Sequence, residues 1–449
     1  MGTDTVREQA VDEVAERRRE QRGWYVYDWA CSVYSTSVLT VFLGPYLTSV
    51  AKAAADADGF VHPLGIPLRA GSFFAYCVSA SVILSIFVMP LVGAAADRTG
   101  RKKPLLAVAA YVGAAATAGM FFLDGDRYLL GGLLLIVANA SLAVSMVLYN
   151  SYLPQIAPPD ERDAVSSRGW AFGYASGSLV LVANLILYTA HDSFGVSEAM
   201  AVRICLASAG IWWGAFTLIP LKRLRDRRTT ASSGTSSHGW RQLAATVRDM
   251  RRQPLTLAFL LAYLVYNDGI QTVISQASVY GSEELGLDQS TLIVAVLLVQ
   301  LLAVAGALGM GRLARTYGAK RIILGSLIAW TVTLGAGYFL PAGAPVWFFL
   351  LAAGIGLVLG GSQALSRSLF SHLVPPGKEA EYFSAYEMSD RGMSWLGPLL
   401  FGLTYQLTGS YRDAIISLVI FFVLGFVLLA RVPVRQAVRD AGNPVPDRI

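Results

Sequence analysis

Long stretches without a charged residue recur from end to end of this chain, separated by short charged ones, and most are about twenty residues long. A helix needs roughly 20 residues to cross a hydrocarbon core of about 30 Å. In that core every backbone N–H and C=O must be satisfied within the protein, which leaves helices or closed barrels. The alternation of apolar and polar residues that marks a barrel strand is absent. Only 15% of the residues are charged and 54% are hydrophobic, where soluble domains carry nearer a quarter charged. The expectation is an all-α polytopic membrane protein. Twelve spans are expected, near 29–51, 70–96, 104–123, 128–153, 169–190, 204–221, 254–281, 290–311, 322–343, 345–373, 381–407 and 414–430. The tenth and eleventh are the least clean, because they contain charges.

Twelve spans put both termini on one side. Most of the 36 Lys and Arg fall on that side; only Lys52, Arg69, Arg127, Arg203 and Arg412 lie opposite, and Arg367 and Arg391 lie within spans. The positive-inside rule then makes both termini cytoplasmic. The net charge of +6 follows from this bias and needs no nucleic acid. The polar first 23 residues, with Arg17, Arg18, Arg19 and Arg22, read as a cytoplasmic segment and carry no signal peptide. Cys31, Cys77 and Cys205 all fall in spans and suggest packing, with no disulfide or metal site.

The chain also repeats itself. Gly93, Gly100, Lys102 and Lys103 return as Gly311, Gly318, Lys320 and Arg321, and Pro158-Pro159 returns as Pro375-Pro376. Two anchors at nearly one offset argue for duplication. The expected organisation is two pseudo-symmetric six-helix bundles, 24–221 and 254–431, joined by a linker over 222–253 and followed by a tail over 432–449. The linker's middle, Thr229 to Ser237, is rich in Ser, Thr and Gly. After it, Trp240, Leu243, Val247 and Met250 recur at helical spacing beside Arg241, Arg248, Arg251 and Arg252, as in a helix lying on the inner membrane surface or in a solvated linker helix.

The segment Gly93–Lys103 is similar to the signature loop of the major facilitator superfamily. Tyr27-Asp28-Trp29-Ala30, Ser166-Ser167-Arg168-Gly169 with Gly173-Tyr174, Gly361 to Ser368, and Leu396-Gly397-Pro398 resemble its vacuole-effluxer-like branch. Fungal members of that branch are linked to amino-acid export from the vacuole. The resemblance implies a secondary transporter working by alternating access, and it hints at an amino-acid substrate. The expected home is the plasma (inner) membrane of a bacterium. The second copy of the loop departs from the first, with Arg315 where Asp97 stands.

Ionisable residues within spans are costly and so are candidates for function. Asp268 lies 14 residues into span seven, about 20 Å along the helix and close to the midplane. It is expected to carry a proton, with Tyr266, Asn267 and Gln271 beside it, or else to be a structural carboxylate held by a neighbouring helix. Asp28 opens span one and either sits in an interfacial aromatic belt with Trp24 and Trp29 or shares a water-lined face with Ser32 and Ser35. Arg367 either contributes to a site or gate or snorkels to the headgroups. Glu387 and Arg391 are spaced to pair, with Asp390 adjacent, as an inner gate. Asn150, Tyr152 and Gln363 are weaker candidates, since single amides often only join helices; Asn150 and Gln363 are counted with the substrate-binding residues. Asp97, with Gly93, Gly100 and Arg101, either caps its own loop or, as the resemblance implies, holds the cytoplasmic side closed against the start of span eleven. Gly169, Gly173 and Gly177, and likewise Gly356 and Gly360, allow close helix approach.

His62, His191, His238 and His372 are scattered, and neither a Gly-x-Ser-x-Gly elbow nor a phosphate-binding loop occurs. An enzyme or an ATP-driven pump is therefore not expected, nor a cofactor or metal. The expected partners are a small polar solute, protons and the lipid bilayer, with the protein a monomer. The alternatives are a transporter-fold receptor or scaffold, or a uniporter uncoupled from protons.

Overall fold

The computed structural model describes residues 2–70, 73–227, 248, 250–287, 289–392, 396–408 and 410–449. Among the described residues, ten helices are long and apolar enough to cross a membrane, and a bent pair at the start of the chain makes up to eleven. Helix α1 (Gly2–Val33) runs without a break into a π-helical segment over Tyr34–Phe42 and then α2 (Leu43–Ala53). The chain bends by 50° between Phe42 and Tyr46. The polar first segment is thus the opening of the first span's own helix. After α2, a short hairpin pairs Phe60–Val61 with Leu68–Arg69.

The next helices follow the hydrophobic stretches: α3 (Phe73–Thr99), α4 (Lys102–Gly119), α5 (Tyr128–Asn150), the single turn α6 (Leu153–Ile156), α7 (Arg162–Thr189) and α8 (Glu198–Arg223). Ser197 caps α8, its side chain accepting from Met200 N–H. Then come α9 (Pro254–Val279), α10 (Gln289–Tyr317), α11 (Ala319–Tyr338), α12 (Pro345–Ser371), α13 (Glu379–Gly392), α14 (Leu396–Thr408), α15 (Tyr411–Ser417), α16 (Val419–Arg431) and α17 (Val434–Asp440). Pro254 and Pro345 occupy first helical positions, where the missing N–H costs nothing.

The eleventh expected span, 381–407, coincides with α13 and α14. Neither helix alone is among those long and apolar enough to cross. The reason is visible in the sequence: Glu379, Glu381, Glu387, Asp390 and Arg391 are concentrated in α13. The linker's Ser/Thr/Gly-rich middle and Trp240, Leu243 and Val247 lie outside the described residues.

Two compact units emerge. The first comprises 1–150 and 175–228, the second 151–174 and 229–449. The opening of span five thus belongs to the second unit, whereas the bundle expected from the repeat ran unbroken over 24–221. Small residues set the packing within each unit. In the first, a Cβ on Gly210 would meet the α4 backbone at Ala114 and Ala118, and one on Gly177 would meet Thr36 of the π-helical segment. In the second, Gly356 and Gly360 let α12 lie against the α10 backbone at Val299 and Ala303. Close helix approach at glycine is thus realised at these positions.

Candidate functional site

Asp268 sits inside α9 and is 2% exposed. Its Oδ2 accepts a hydrogen bond of 2.8 Å from the backbone N–H of Gly397, in the first turn of α14. The first N–H groups of a helix have no partner within it and carry the positive end of its dipole, so this carboxylate is an apt cap. The approach requires glycine, because a Cβ at position 397 would overlap Thr272 Oγ1. Thr272 in turn donates to the Asp268 carbonyl at 2.7 Å. The other carboxylate oxygen, Oδ1, is buried without a hydrogen-bond partner among the described residues. A half-satisfied buried carboxylate is unfavourable unless a proton or a cationic group reaches it.

The residues around Asp268 divide. Tyr266 is buried and shares a 2.6 Å hydrogen bond with Ser366 of α12. Asn267 is 1% exposed, and Gln271 is half-buried. A second polar group lies where the opening of α7 meets α12, inside the second unit. Arg367, 1% exposed, donates through Nε to Ser166 Oγ and through Nη2 to the Ser166 carbonyl, both at 2.9 Å. Its guanidinium lies 5.3 Å from the Trp170 ring centroid, within cation–π range. Ser166 Oγ also donates to the Ala364 carbonyl, and Tyr174 O–H donates to Gln363 Oε1 at 2.8 Å. Arg367 therefore does not snorkel; its charge is turned inward onto α7. Glu387, Asp390 and Arg391 lie in α13, but their side chains are outside the described residues.

In the first unit, Asp28 is 4% exposed and accepts from Tyr149 O–H at 2.6 Å. Trp24 stacks on Tyr149 at 4.4 Å and donates to its carbonyl. Of the two settings expected for Asp28, an interfacial belt or a face shared with Ser32 and Ser35, neither names this contact: Asp28 is buried against Tyr149. Asn150 is buried at the end of the same helix.

The signature loop turns at Gly100, whose φ of +62° suits glycine. Asp97, buried, lies 3.3 Å from Lys102 Nζ, also buried, while Arg101 is exposed. Gly93 is buried in α3. The N–H groups opening α4 are met by a different carboxylate: Asp226 accepts from Lys103 N–H at 2.8 Å. Sequence reasoning missed Asp226, Tyr149, Ser166 and Trp170. Ser166 stood in a quoted motif, but nothing in the sequence paired it with an arginine 201 residues on.

A family profile described as vacuole effluxer Atg22 like matches residues 16–442. An uncharacterised MFS-type transporter of Bacillus subtilis, YxiO, is 29% identical over 92% of this chain and 95% of its own. Autophagy-related protein 22-1 of Aspergillus niger is 25% identical over 94% of this chain and 90% of its own. Among solved structures, the proton:xylose symporter XylE superposes with a TM-score of 0.66 at 16% identity, covering 94% of this chain and 96% of that one. A bacterial homologue of ferroportin in an outward-facing state does so with 0.66 at 15%, covering 93% and 98%. At these identities the two structures speak for the fold alone.

Proposed function

Since the chain belongs to the Atg22-like vacuole effluxer family of MFS-type transporters, we propose that it is a proton-coupled secondary transporter of a small polar solute of the amino-acid class. Alternating access is the mode of transport that this membership supports. In this reading the chain makes twelve spans, α13 and α14 forming the eleventh, with both termini cytoplasmic. It works as a monomer in a bacterial plasma membrane.

The observation that carries the proposal is the Asp268 carboxylate. One oxygen is held by a helix N-terminus, and the other is buried and open. A proton arriving at Oδ1 neutralises the group, and one leaving restores the ion that caps α14. Protonation thereby alters how firmly α9 holds α14, and a coupled carrier needs such a link between protonation and conformation. Asp28, bonded to the Tyr149 hydroxyl, serves as a second proton site in the other unit. Tyr266, Asn267, Gln271, Asn150, Gln363 and Arg367 supply contacts to the solute. A zwitterion suits a lining that holds both a carboxylate and a guanidinium. Gly93, Asp97, Gly100 and Arg101 serve as a gate, as do Glu387, Asp390 and Arg391.

The test is uptake of labelled amino acids into proteoliposomes under an imposed pH gradient. The wild type is expected to accumulate solute. Asp268→Asn should abolish gradient-driven accumulation while the protein stays folded and inserted. Full accumulation by that variant would remove Asp268 from the mechanism.

A further inference from the structure

The chain leaves the first unit after residue 150 and returns to it at 175. The excursion between, which holds α6 and the opening of α7, is packed into the second unit, while both its ends continue into helices of the first. One arginine fastens it there. Arg162, 6% exposed, donates through Nε to the Ala157 carbonyl at 3.2 Å and through Nη2 to the Pro154 carbonyl at 3.4 Å, both within the excursion. Through Nη1 it donates to the Ser371 carbonyl, at 2.8 Å, in the last residue of α12.

The last four carbonyls of a helix have no partner within it. In α12, that of Ser368 takes the Ser371 hydroxyl, that of Leu369 the His372 N–H and that of Phe370 the Leu373 N–H. The Ser371 carbonyl is the one that meets Arg162. One guanidinium therefore caps the ends of both α6 and α12. These ends are equivalent places in the sequence: Pro158-Pro159 stands to Pro375-Pro376 as Pro154 stands to Ser371, at one offset of 217 residues. The position equivalent to Arg162 is Glu379, also 6% exposed. A carboxylate only accepts and cannot meet carbonyls; Glu379 Oε1 takes the Gly377 N–H instead, at 2.9 Å. A single arginine thus serves both copies. Glu379 and Asp163 lie within electrostatic range of it, which makes burial of its charge tolerable.

Lys320 caps the end of α16 in a similar way, but its donor and acceptors all lie within 229–449. Arg162 differs in joining the excursion to the rest of the second unit. In alternating access the two units change their relation in every cycle. A segment docked on one and continuous with the other must then let go or bend.

We infer that Arg162 is the clasp that docks 151–174 on the second unit, and that its release from Ser371 accompanies the step that changes the side to which the solute path opens. The inference rests on alternating access alone and needs neither the solute class nor the proton coupling proposed for the protein.

The test uses the full-length protein in nanodiscs, with nitroxide labels at Arg168→Cys in the excursion and Arg252→Cys before α9. Both positions are exposed, and the native cysteines are buried. Pulsed EPR distances then give the ratio of docked to released molecules. Arg162→Gln is expected to shift that ratio towards release by about 5- to 150-fold. Arg162→Lys, which keeps the charge and gives up the planar fork, should shift it by about fivefold, at the low end of that range. Lys320→Gln should lower the melting temperature and leave the ratio unchanged. If Arg162→Gln also melts earlier with the wild-type ratio, Arg162 is a structural cap and the clasp is overturned. Should Arg162→Gln fail to fold, Arg162→Lys carries the same test, and an unchanged ratio there overturns the clasp equally. No solute or pH gradient enters the measurement, so a failure of amino-acid uptake and a failure of the clasp are read separately.

Discussion

The two copies of the repeated loop keep the same glycine turn and the same lysine but use that lysine differently. In the first copy Lys102 turns to Asp97, and both are buried. In the second, Arg315 stands where that acid would be, and Lys320 instead donates to the carbonyls of Ala430 and Val432, at 2.9 and 2.7 Å, at the end of α16. These are the last carbonyls of a helix, which have no partner within it. One substitution in the loop has thus redirected a neighbouring cation from an ion pair to a helix cap. The second loop is also bound to the chain's final residues: Arg448 donates to the Thr316 carbonyl, and the backbone of Ile449 lies against Gly318. A duplicated motif keeps its backbone turn more readily than its partners, since the turn is local and the partners belong to whatever packs nearby.

The largest effect expected from this contrast is in the first copy. Lys102→Met leaves the Asp97 carboxylate buried without the cation 3.3 Å away, and breaking a buried pair costs about 3–5 kcal/mol. Lys320→Met removes two hydrogen bonds from a partly exposed cation, for about 1.5 kcal/mol in all. Thermal melts in one detergent should rank the two variants in that order; equal losses would mean that the ion pair and the cap are energetically interchangeable.

Acid sharpens the comparison from the side of the second unit. His372 is buried, and Arg162 lies against its Nδ1 at 3.3 Å. Burial, with the neighbouring guanidinium, holds its pKa well below the ordinary value. The unfolded chain therefore binds a proton at about pH 6.5 that the folded chain refuses. Stability contributed by the neutral ring is complete above that pH and is lost as pH falls below it, by up to about 1.4 kcal/mol per pH unit, until the folded value is reached. Asn443 of the tail donates to the His372 carbonyl at 2.9 Å, so hydrogen exchange between pH 7 and 5 should rise first around 372–374 and the tail. His372→Gln should flatten that dependence. An unchanged profile in that variant would assign the acid sensitivity elsewhere.

The smallest expected effects separate the two turns. Gly100 and Gly318 both have positive φ, +62° and +87°. Alanine at either should cost about 1 kcal/mol from the left-handed backbone. At Gly318 the new methyl would also meet the main chain of Ile449, so Gly318→Ala should release the tail to proteolysis, whereas Gly100→Ala should leave it protected. Equal protection in both variants would show that the tail is held without that contact.

Much of the fold was legible because hydrophobic length is a property of local sequence. The helical, membrane-crossing character of the chain, with ten to eleven candidate spans among the described residues, could be read without tertiary information. The candidate site was less legible, since its defining contacts join residues far apart in the chain. Asp28 meets Tyr149 across 121 residues, and Asp268 meets a backbone N–H across 129. A backbone donor has no sequence signature beyond the glycine that lets it approach. For Arg367 the sequence left a site or gate role and snorkelling both open, because its position in the chain was visible and its seat on Ser166 and Trp170 was not. The segment expected as span eleven, 381–407, was less legible for another reason: the charges of α13 weaken its apolar character.

The π-helical segment Tyr34–Phe42 has a consequence for how this family can vary. A π turn holds one residue more than an α turn, so it is what an insertion looks like after a helix has absorbed it. Removing a single residue between Tyr34 and Phe42 would let the helix close into regular α geometry with little rotation of α2 relative to α1, whereas removing one from the regular α-helix before it would rotate α2 by roughly 100°. Leu47 would then leave its place against Gly131 of α5. A relative that lacks the extra residue can therefore keep α2 on the same side through a regular α turn, and an alignment of the two must place its gap within 34–42 for Leu47 to meet its counterpart.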